Sequence, residues 1–352
     1  MQTKIGHTKI GDNCPVFIVA ELGLNHNGEI ALAKKMIQAA KQAGADAVKM
    51  QSFITEDFVP DKRSTYTYKS QGKKITEAQH KMFKRCELNE KEQKELFVFA
   101  KKIGIIMFSS PQDNSFKIVD YLCGQEINMP AIKVGSDDLT NLSMLAYYAK
   151  KKKPMIISTG MATLDEVSEA VSVIKKKGNN EIIILKCTSL YPTPPEEANL
   201  AQIKTLRRAF KDCLIGFSDH TAGSTAAVVA TILNAAMIEK HFTLSHDLPG
   251  PDHWFAADPS ELASLVKQVR ETEKILGNPK LVLSKAESKI KAIARRSVMA
   301  AREIKKGKKI VALDLDCKRP GTGLPPKYLS ALIGKIAKKN YCQGYIFTKK
   351  DL

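Results

Sequence analysis

From residue 16 to residue 277 the chain alternates between two kinds of segment. Eight apolar, β-branched runs are each followed by a stretch of helical period. The runs are VFIVAEL (16–22), AVKMQSF (47–53), IIMFSSP (105–111), AIKVGSD (131–137), PMIISTG (154–160), IIILKCTS (182–189), LIGFSDH (214–220) and MIEKHFT (237–243). The partners include ALAKKMIQAAKQAG (31–44), NEKEQKELFVFAKKIG (89–104), LDEVSEAVSVIKKKG (164–178) and PSELASLVKQVRETEKILG (259–277). Several end in Gly after Lys, because Gly takes the left-handed conformation that closes a helix. The strand runs are continuously apolar, as strands buried on both faces of a parallel sheet must be. Eight such units in about 280 residues predict an α/β fold, the closed (β/α)8 barrel. An open doubly wound sheet is the competitor, but no G-x-G-x-x-G follows the first strand. The second run is separated from its helix by residues 54–88, expected to be a long polar loop.

The alternation stops near residue 280. KAESKIKAIARRS reads as a charged linker with helical character. Beyond it, short strands and turns at Gly307, Pro320-Gly321 and Gly344 suggest a small β-rich domain. The expected organisation is a catalytic barrel at 1–280, a linker at 281–296 and the small domain at 297–352. So short a domain buries a limited core and is expected to dock on something.

The net charge is +18, and the last 68 residues hold 18 Lys and Arg against 5 Asp and Glu. A basic tail could meet a polyanion. No basic run is interleaved with aromatics as single-strand binders require, so no nucleic-acid partner is expected. No apolar run reaches the roughly 20 residues that span a bilayer, and no signal peptide is evident. The seven scattered cysteines form no C-x-x-C pair, so a reducing cytoplasm is expected.

In such a barrel, chemistry collects where strands end and the following loops begin. Those positions carry Glu21 and then Asn25-His26-Asn27, Lys49 and Gln51, Ser109-Ser110, Lys133 and Ser136, and Ser158-Thr159. Ser189 and Tyr191, Ser218-Asp219-His220 and finally His241 complete the ring. Lysines and hydroxyls converging on one mouth suit a phosphate or carboxylate. A strand lysine is costly to bury unless an anion meets it. Histidines at matching exits of adjacent strands, His220 and His241, can share one metal ion. Glu21 can hold a water or take a proton. Lys186 and Glu239 read as pairing with neighbours.

The runs FIVAELGLNHNGEIALAKKMIQAAKQAGADAVKMQSF, KVGSDDL, STGMATLDEV, CTSLYPTPPEEANL, GFSDHT, EKHFTL and GPDH resemble, in this order, the sialic acid synthases, legionaminic acid synthases among them. RSVMAAREIKKGKKI and KRPGTG resemble that family's C-terminal antifreeze-like (SAF) domain. The resemblance implies condensation of phosphoenolpyruvate (PEP) with an N-acetylated hexosamine, giving a nine-carbon 2-keto sugar acid and phosphate. It implies that His220 and His241 ligate a divalent metal, manganese or otherwise magnesium or cobalt. Glu21 falls on the carboxylate near the attacked carbon. Lys49, Ser110, Lys133, Ser136, Ser158, Ser189 and Ser218 fall on PEP-binding positions. Gln51, Tyr191 and Asp252 fall on sugar-binding positions, and Asp138 on the place of a sugar-binding glutamate. Arg319 matches an arginine that one subunit reaches into its partner's barrel, which implies a domain-exchanged homodimer.

Two departures lie on the sugar side. Gly135-Ser136-Asp137-Asp138 stands where the family has G-S-G-E, and Trp254-Phe255-Ala256-Ala257-Asp258-Pro259 replaces a Ser-Leu-Glu-Pro run. Both admit N-acetylmannosamine or a 2,4-diacetamido sugar as acceptor. The alternatives are another PEP-condensing sugar acid synthase, or an inactive barrel that binds anions alongside the basic tail.

Overall fold

Eight parallel strands close into a barrel: β1 (Phe17–Gly23), β2 (Ala47–Phe53), β3 (Ile106–Gln112), β4 (Ile132–Val134), β5 (Met155–Ser158), β6 (Ile182–Cys187), β7 (Leu214–Asp219) and β8 (Met237–His241). They are neighbours in chain order, and β8 closes on β1 with His241 opposite Glu21. A computed structural model describes all 352 residues. They fall into two units, Met1–Gly277 and Asn278–Leu352.

Every residue of the eight strands is buried except Gln51, which is half-buried. Such burial explains why the runs read as continuously apolar. Ile18, Ile156, Ile183 and Ile215 are fully buried, each worth about 1.5–3 kcal/mol relative to exposure. Helices cover the barrel and begin and end where the sequence signals them. Glu90–Ile103 starts with an Asn89/Glu92 capping box and stops at Gly104, whose φ is 74°. Pro259–Leu276 starts with Asp258 and Glu261 as its box and Pro at its first position.

Two features differ from the expectation. A hairpin, Gln2–Ile5 with Thr8–Gly11, precedes the first unit and sends Ile5 and Ile10 into the core. Residues 54–88 are not a loop. They form a short helix Thr55–Phe58, an antiparallel hairpin Thr65–Ser70/Lys73–Ala78 and a helix Gln79–Cys86. Leu24, Phe53, Met82 and Cys86, with Phe58, Tyr68 and Phe83, make a separate small core there.

The second unit begins with the helix Lys285–Ala294, inside the segment read as a linker and capped by Ser284 and Glu287. A small domain follows, with Ser297–Ala300 antiparallel to Leu315–Lys318 and a core of Val298, Ile304, Leu324, Leu332, Tyr341 and Phe347. Asp314 is buried in it and accepts from Arg302 Nε at 2.6 Å, Lys308 Nζ at 2.8 Å and Val311 N at 3.0 Å. Burial pushes that carboxyl up, but the three donors outweigh burial and hold it down to about 2. No helix is long and apolar enough to cross a membrane.

Candidate active site

Residues two apart on a strand share a face. That spacing sends Lys49 and Gln51 of β2, Ser110 and Gln112 of β3, and Glu239 and His241 of β8 into one cavity of about 570 Å³. Lys133, Ser136, Ser158, Ser189, Ser218, His220 and Tyr191 line it too. The cavity lies at the C-terminal ends of the strands, where the loops can reach it.

Its floor is a buried ion network. Lys133 Nζ donates to Ser158 Oγ at 2.8 Å and to the Val134 carbonyl at 2.9 Å. Glu239 Oε1 lies 3.3 Å from Lys49 Nζ and 3.9 Å from Lys133 Nζ, and accepts from Ser218 Oγ at 3.2 Å. Lys49 also pairs with Glu21, which accepts from Gly23 N at 2.5 Å. Burial lowers the Lys49 ammonium to about 8, against the opposing pull of Glu239. Burial alone would raise Glu239, but Lys133 and Lys49 outweigh it and hold the carboxyl below its ordinary value.

Several buried atoms on this surface find no hydrogen-bond partner in the protein: Ser110 Oγ, Gln112 Oε1, Ser189 Oγ, Glu239 Oε2 and His241 Nδ1. Buried polar groups are nearly always paired. Of these, the Ser110 and Ser189 hydroxyls can donate to an anion beside the two lysines, whereas Gln112 Oε1 and Glu239 Oε2 only accept and call for a donor.

The histidines meet at the rim of the cavity. Their ring centroids are 5.2 Å apart. His220 Nδ1 lies 2.7 Å from the Thr188 carbonyl and donates to it, which leaves the lone pair on Nε2. His241 Nδ1 lies 3.6 Å from Asp252 Oδ2. Burial, then the charge near His220 and Lys49, lowers His241 well below its ordinary value, so it stays neutral, the form that binds a cation. His220 is held above its ordinary value: burial pulls it down, but Cys187 and the Thr188 carbonyl prevail, so a cation there competes with a proton. Burial pushes the Asp252 carboxyl up to about 6. One imidazole fixed from behind by the Thr188 carbonyl, a second with an orphan nitrogen and an adjacent carboxylate fit a divalent metal.

Gly23 makes this meeting possible. Its φ is +48°, and β1 breaks register against β2 between Glu21 and Gly23. A Cβ there would stand 3.3 Å from Glu21 Oε1 and 3.5 Å from Asp252 Oδ2.

A second His/carboxylate group, His246, Asp258 and Glu261, gathers within 4.8 Å. Its atoms already cap a helix: Asp258 Oδ1 accepts from Ser260 N and Glu261 N, and Glu261 Oε2 from Asp258 N.

The structure brings most of the sequence-predicted residues into this cavity; Glu21, paired with Lys49, and Asp252, which lines an adjoining lobe, are not among its lining residues, and two more fall outside it. Asp138 does not line the cavity; Asp137 does, with its Oδ2 accepting from Gln112 Nε2 at 3.0 Å. Beyond β4 the chain turns at residues 136–140, and Gly135, Ser136 and Asp137 face the cavity at the start of that turn while Asp138 does not line it. Arg319 belongs to the second unit and is no part of the cavity within this chain. Tyr191 lies across both imidazoles, its ring 4.2 Å from that of His220 and 5.6 Å from that of His241.

Sequence reasoning passed over Gln112, Cys187, Phe58, Tyr66, Gln79 and Phe83, all of which line the cavity. Glu239, read as pairing with neighbours, pairs with Lys49 and Lys133 and lines the cavity as well. Lys186, read in the same way, bonds the Cys187 carbonyl and Thr188 Oγ1.

The model of the NeuB family matches residues 36–280, and that of the SAF domain residues 295–352. The chain belongs to the NeuB family. It is 40% identical to the N,N'-diacetyllegionaminic acid synthase of Campylobacter jejuni, over 92% of this chain and 96% of that one. It is 37% identical to the mouse N-acetylneuraminate-9-phosphate synthase, over 93% and 89%. Among solved structures, the N-acetylneuraminic acid synthetase of Leptospira borgpetersenii, in complex with citrate, superposes with a TM-score of 0.73 at 34% identity, covering 82% of this chain and 95% of that one. As a NeuB-family chain of this likeness, the protein is a synthase, built on a closed (β/α)8 barrel with a C-terminal SAF domain.

Proposed function

We propose that the protein condenses phosphoenolpyruvate with an N-acetylated hexosamine, N-acetylmannosamine or a 2,4-diacetamido sugar, and releases phosphate and a nonulosonic acid. The observation that carries this reading is the set of donors facing one cavity, Lys49 and Lys133 with the unpartnered hydroxyls of Ser110 and Ser189. It suits a small molecule bearing both a phosphate and a carboxylate, and the histidine end of the same cavity suits a carbonyl partner. The relatives named above carry names of this kind of synthase.

Lys49, Lys133 and the hydroxyls of Ser110, Ser136, Ser158, Ser189 and Ser218 hold the two anionic groups of phosphoenolpyruvate. His220 and His241, with Asp252 beside them, hold a divalent cation, manganese by resemblance and magnesium or cobalt otherwise; when bound it supplies Lewis acidity toward a carbonyl oxygen. Gln51, Tyr191 and Asp252 orient the open-chain sugar, with Asp137 in the place expected of Asp138. The methylene carbon of phosphoenolpyruvate bonds to the aldehyde carbon. Water adds at the enol carbon, held by Glu21, which accepts its proton. The C–O bond to phosphate then breaks and leaves the ketone. The chain contributes chiefly positioning and fixed charge.

The test is phosphate release from phosphoenolpyruvate with a panel of amino sugars, with and without manganese. Release that depends on both sugar and metal supports the reading. No release with any sugar leaves an anion-binding barrel. The homodimer, with Arg319 reaching the partner's barrel, is tested by sedimentation equilibrium and by Arg319→Ala, which should raise the KM of the sugar more than that of phosphoenolpyruvate.

A further inference from the structure

β7 and β8 run side by side, and their ladder ends at the pair Asp219 and Lys240. Each of these residues immediately precedes one of the two histidines. His241 lies within β8 and stays paired with Glu21 of β1. His220 lies one residue past the end of β7. On the β6 side its backbone is held, since Thr193 N donates to the His220 carbonyl at 2.8 Å. On the β8 side the ladder stops short of it.

A side chain takes over where the ladder stops. Lys240 Nζ donates to Asp219 Oδ2 at 3.0 Å and also to the Thr221 carbonyl. It therefore grips the residues on both sides of His220. Asp219 Oδ1 accepts from Thr221 N at 2.8 Å and from Thr221 Oγ1 at 2.7 Å, which closes the turn around the histidine. Asp219, Thr221 and Lys240 are buried, and none of them lines the active-site cavity. Glu239 and His241 face that cavity, so Lys240 between them points away from it.

Stability alone does not call for this pair. Burying two charges costs about as much as their attraction returns, and apolar side chains of similar volume would fill the space as well. What the pair adds is direction. One ammonium bound to two fixed oxygens leaves the Asp219–Thr221 segment little freedom to shift against β8. The Thr188 carbonyl sets the orientation of the His220 ring, and Lys240 sets where its backbone stands. Two imidazoles share an ion only while a nitrogen of each stays about 2.0–2.1 Å from it, so a small drift of either one breaks the arrangement.

We propose that Lys240, with Asp219, is a positioning residue of the metal site: by bracketing His220 it keeps that imidazole within reach of the cation that His241 holds. This inference rests on the metal reading proposed above and names what holds the two ligands in register.

The double variant Lys240→Met/Asp219→Asn tests it. The change neutralises both partners, so neither charge is left buried and unpaired, and the Tm should stay close to that of the wild type. The affinity for manganese alone, followed by electron paramagnetic resonance of the free ion, should nevertheless fall about 10–100-fold, as on loss of a group that supports a ligand. The rise in Tm given by phosphoenolpyruvate, which reads the lysine end of the cavity, should match that of the wild type. Wild-type manganese affinity in the folded double variant overturns the inference and leaves the pair a stabiliser only. So does loss of the phosphoenolpyruvate response together with the manganese affinity, since the whole mouth would then have shifted. Asp219→Asn alone keeps the size and one oxygen, and it serves where the double variant does not fold. Its manganese affinity should fall as well, and an unchanged one overturns the inference too. His241→Ala separates the two readings. Manganese binding that is absent from the wild type, or that survives His241→Ala, sinks the metal reading and the inference with it.

Discussion

Glu239 and His241 stand two residues apart on β8. One strand therefore delivers to the same cavity the counter-charge of Lys49 and Lys133 and the imidazole beside Asp252. The lysine end and the histidine end of the cavity are thus coupled by a single backbone segment. Its register is fixed against β1 by the pairing of His241 with Glu21.

Glu239→Gln leaves Lys49 and Lys133 without their shared carboxylate. Breaking a buried ion network from one side costs about 3 kcal/mol, or about 6–12 °C in Tm for a barrel of this size. An incoming anion then supplies the missing charge, so phosphoenolpyruvate should raise the Tm of the variant by more than it raises that of the wild type. Thermal shift with and without phosphoenolpyruvate measures both. Equal shifts in the two proteins would show that Glu239 does not balance the lysines.

Gly23→Ala tests the packing under the reacting groups. The left-handed φ costs a non-glycine residue about 1–2 kcal/mol. The new methyl also meets Glu21 and Asp252 at 3.3 and 3.5 Å. Displacing such groups by a fraction of an ångström costs activity far more than stability, roughly a hundredfold for a full ångström. Turnover should fall by more than tenfold while circular dichroism stays native. A variant with wild-type turnover would mean that the Glu21–Gly23–Asp252 contact has no part in the reaction.

The barrel was legible because parallel strands buried on both faces leave no choice but continuous apolar runs, as IIILKC and LIGFSD do. The buried lysines were legible because a lysine such as Lys133 inside such a run is too costly without a partner, and the structure sets Ser158 and Glu239 beside it. Residues 54–88 were not legible. TYTYKS and KKITEA lie largely exposed, so no buried face imprints a period on them, and the small core they help to frame went unseen. Asp138 was chosen by its place in a motif, whereas the turn that follows β4 presents Ser136 and Asp137 to the cavity, and a turn leaves no period to read. The hairpin at residues 2–11 was missed because each of its strands has only four residues.

Metal affinity should depend on Asp252 as well as on the histidines. Asp252→Asn keeps the shape and removes the charge beside His241. Loss of such a supporting group costs about 10–100-fold in affinity. Titration of manganese into the protein, followed by electron paramagnetic resonance of the free ion, measures this without any turnover. His241→Ala should abolish the binding. Unaltered manganese affinity in both variants would place the ion elsewhere.

The second unit should weaken in acid through Asp314. Its carboxyl is held down to about 2 in the folded protein, below its ordinary 3.8. A lowered carboxyl stabilises the fold above its unfolded value and loses that contribution as protons bind. The loss should therefore develop as pH falls from about 4 to about 2. The protection of peptides covering residues 298–315 against hydrogen exchange, taken relative to the unfolded-chain rate at each pH, should fall over that window in the wild type. In Asp314→Asn exchange should already be fast at neutral pH, with no further step attributable to this site. A wild-type profile flat through the window would contradict the role given to Arg302 and Lys308.

On the proposed reading, Lys49 should set the alkaline limit of the reaction. Burial lowers its ammonium to about 8 in the free protein, so above that pH a growing share of the molecules present a neutral amine to an anionic substrate. The pH profile of kcat/KM reports groups of the free enzyme. For phosphoenolpyruvate it should bend near pH 8 and fall about tenfold per unit beyond it, with kcat less affected because the bound anion holds the proton on. Arginine stays charged throughout, so Lys49→Arg should lose the bend even where its turnover is reduced. A bend that persists unchanged in Lys49→Arg would assign the limit to another group and separate Lys49 from the binding of the anion.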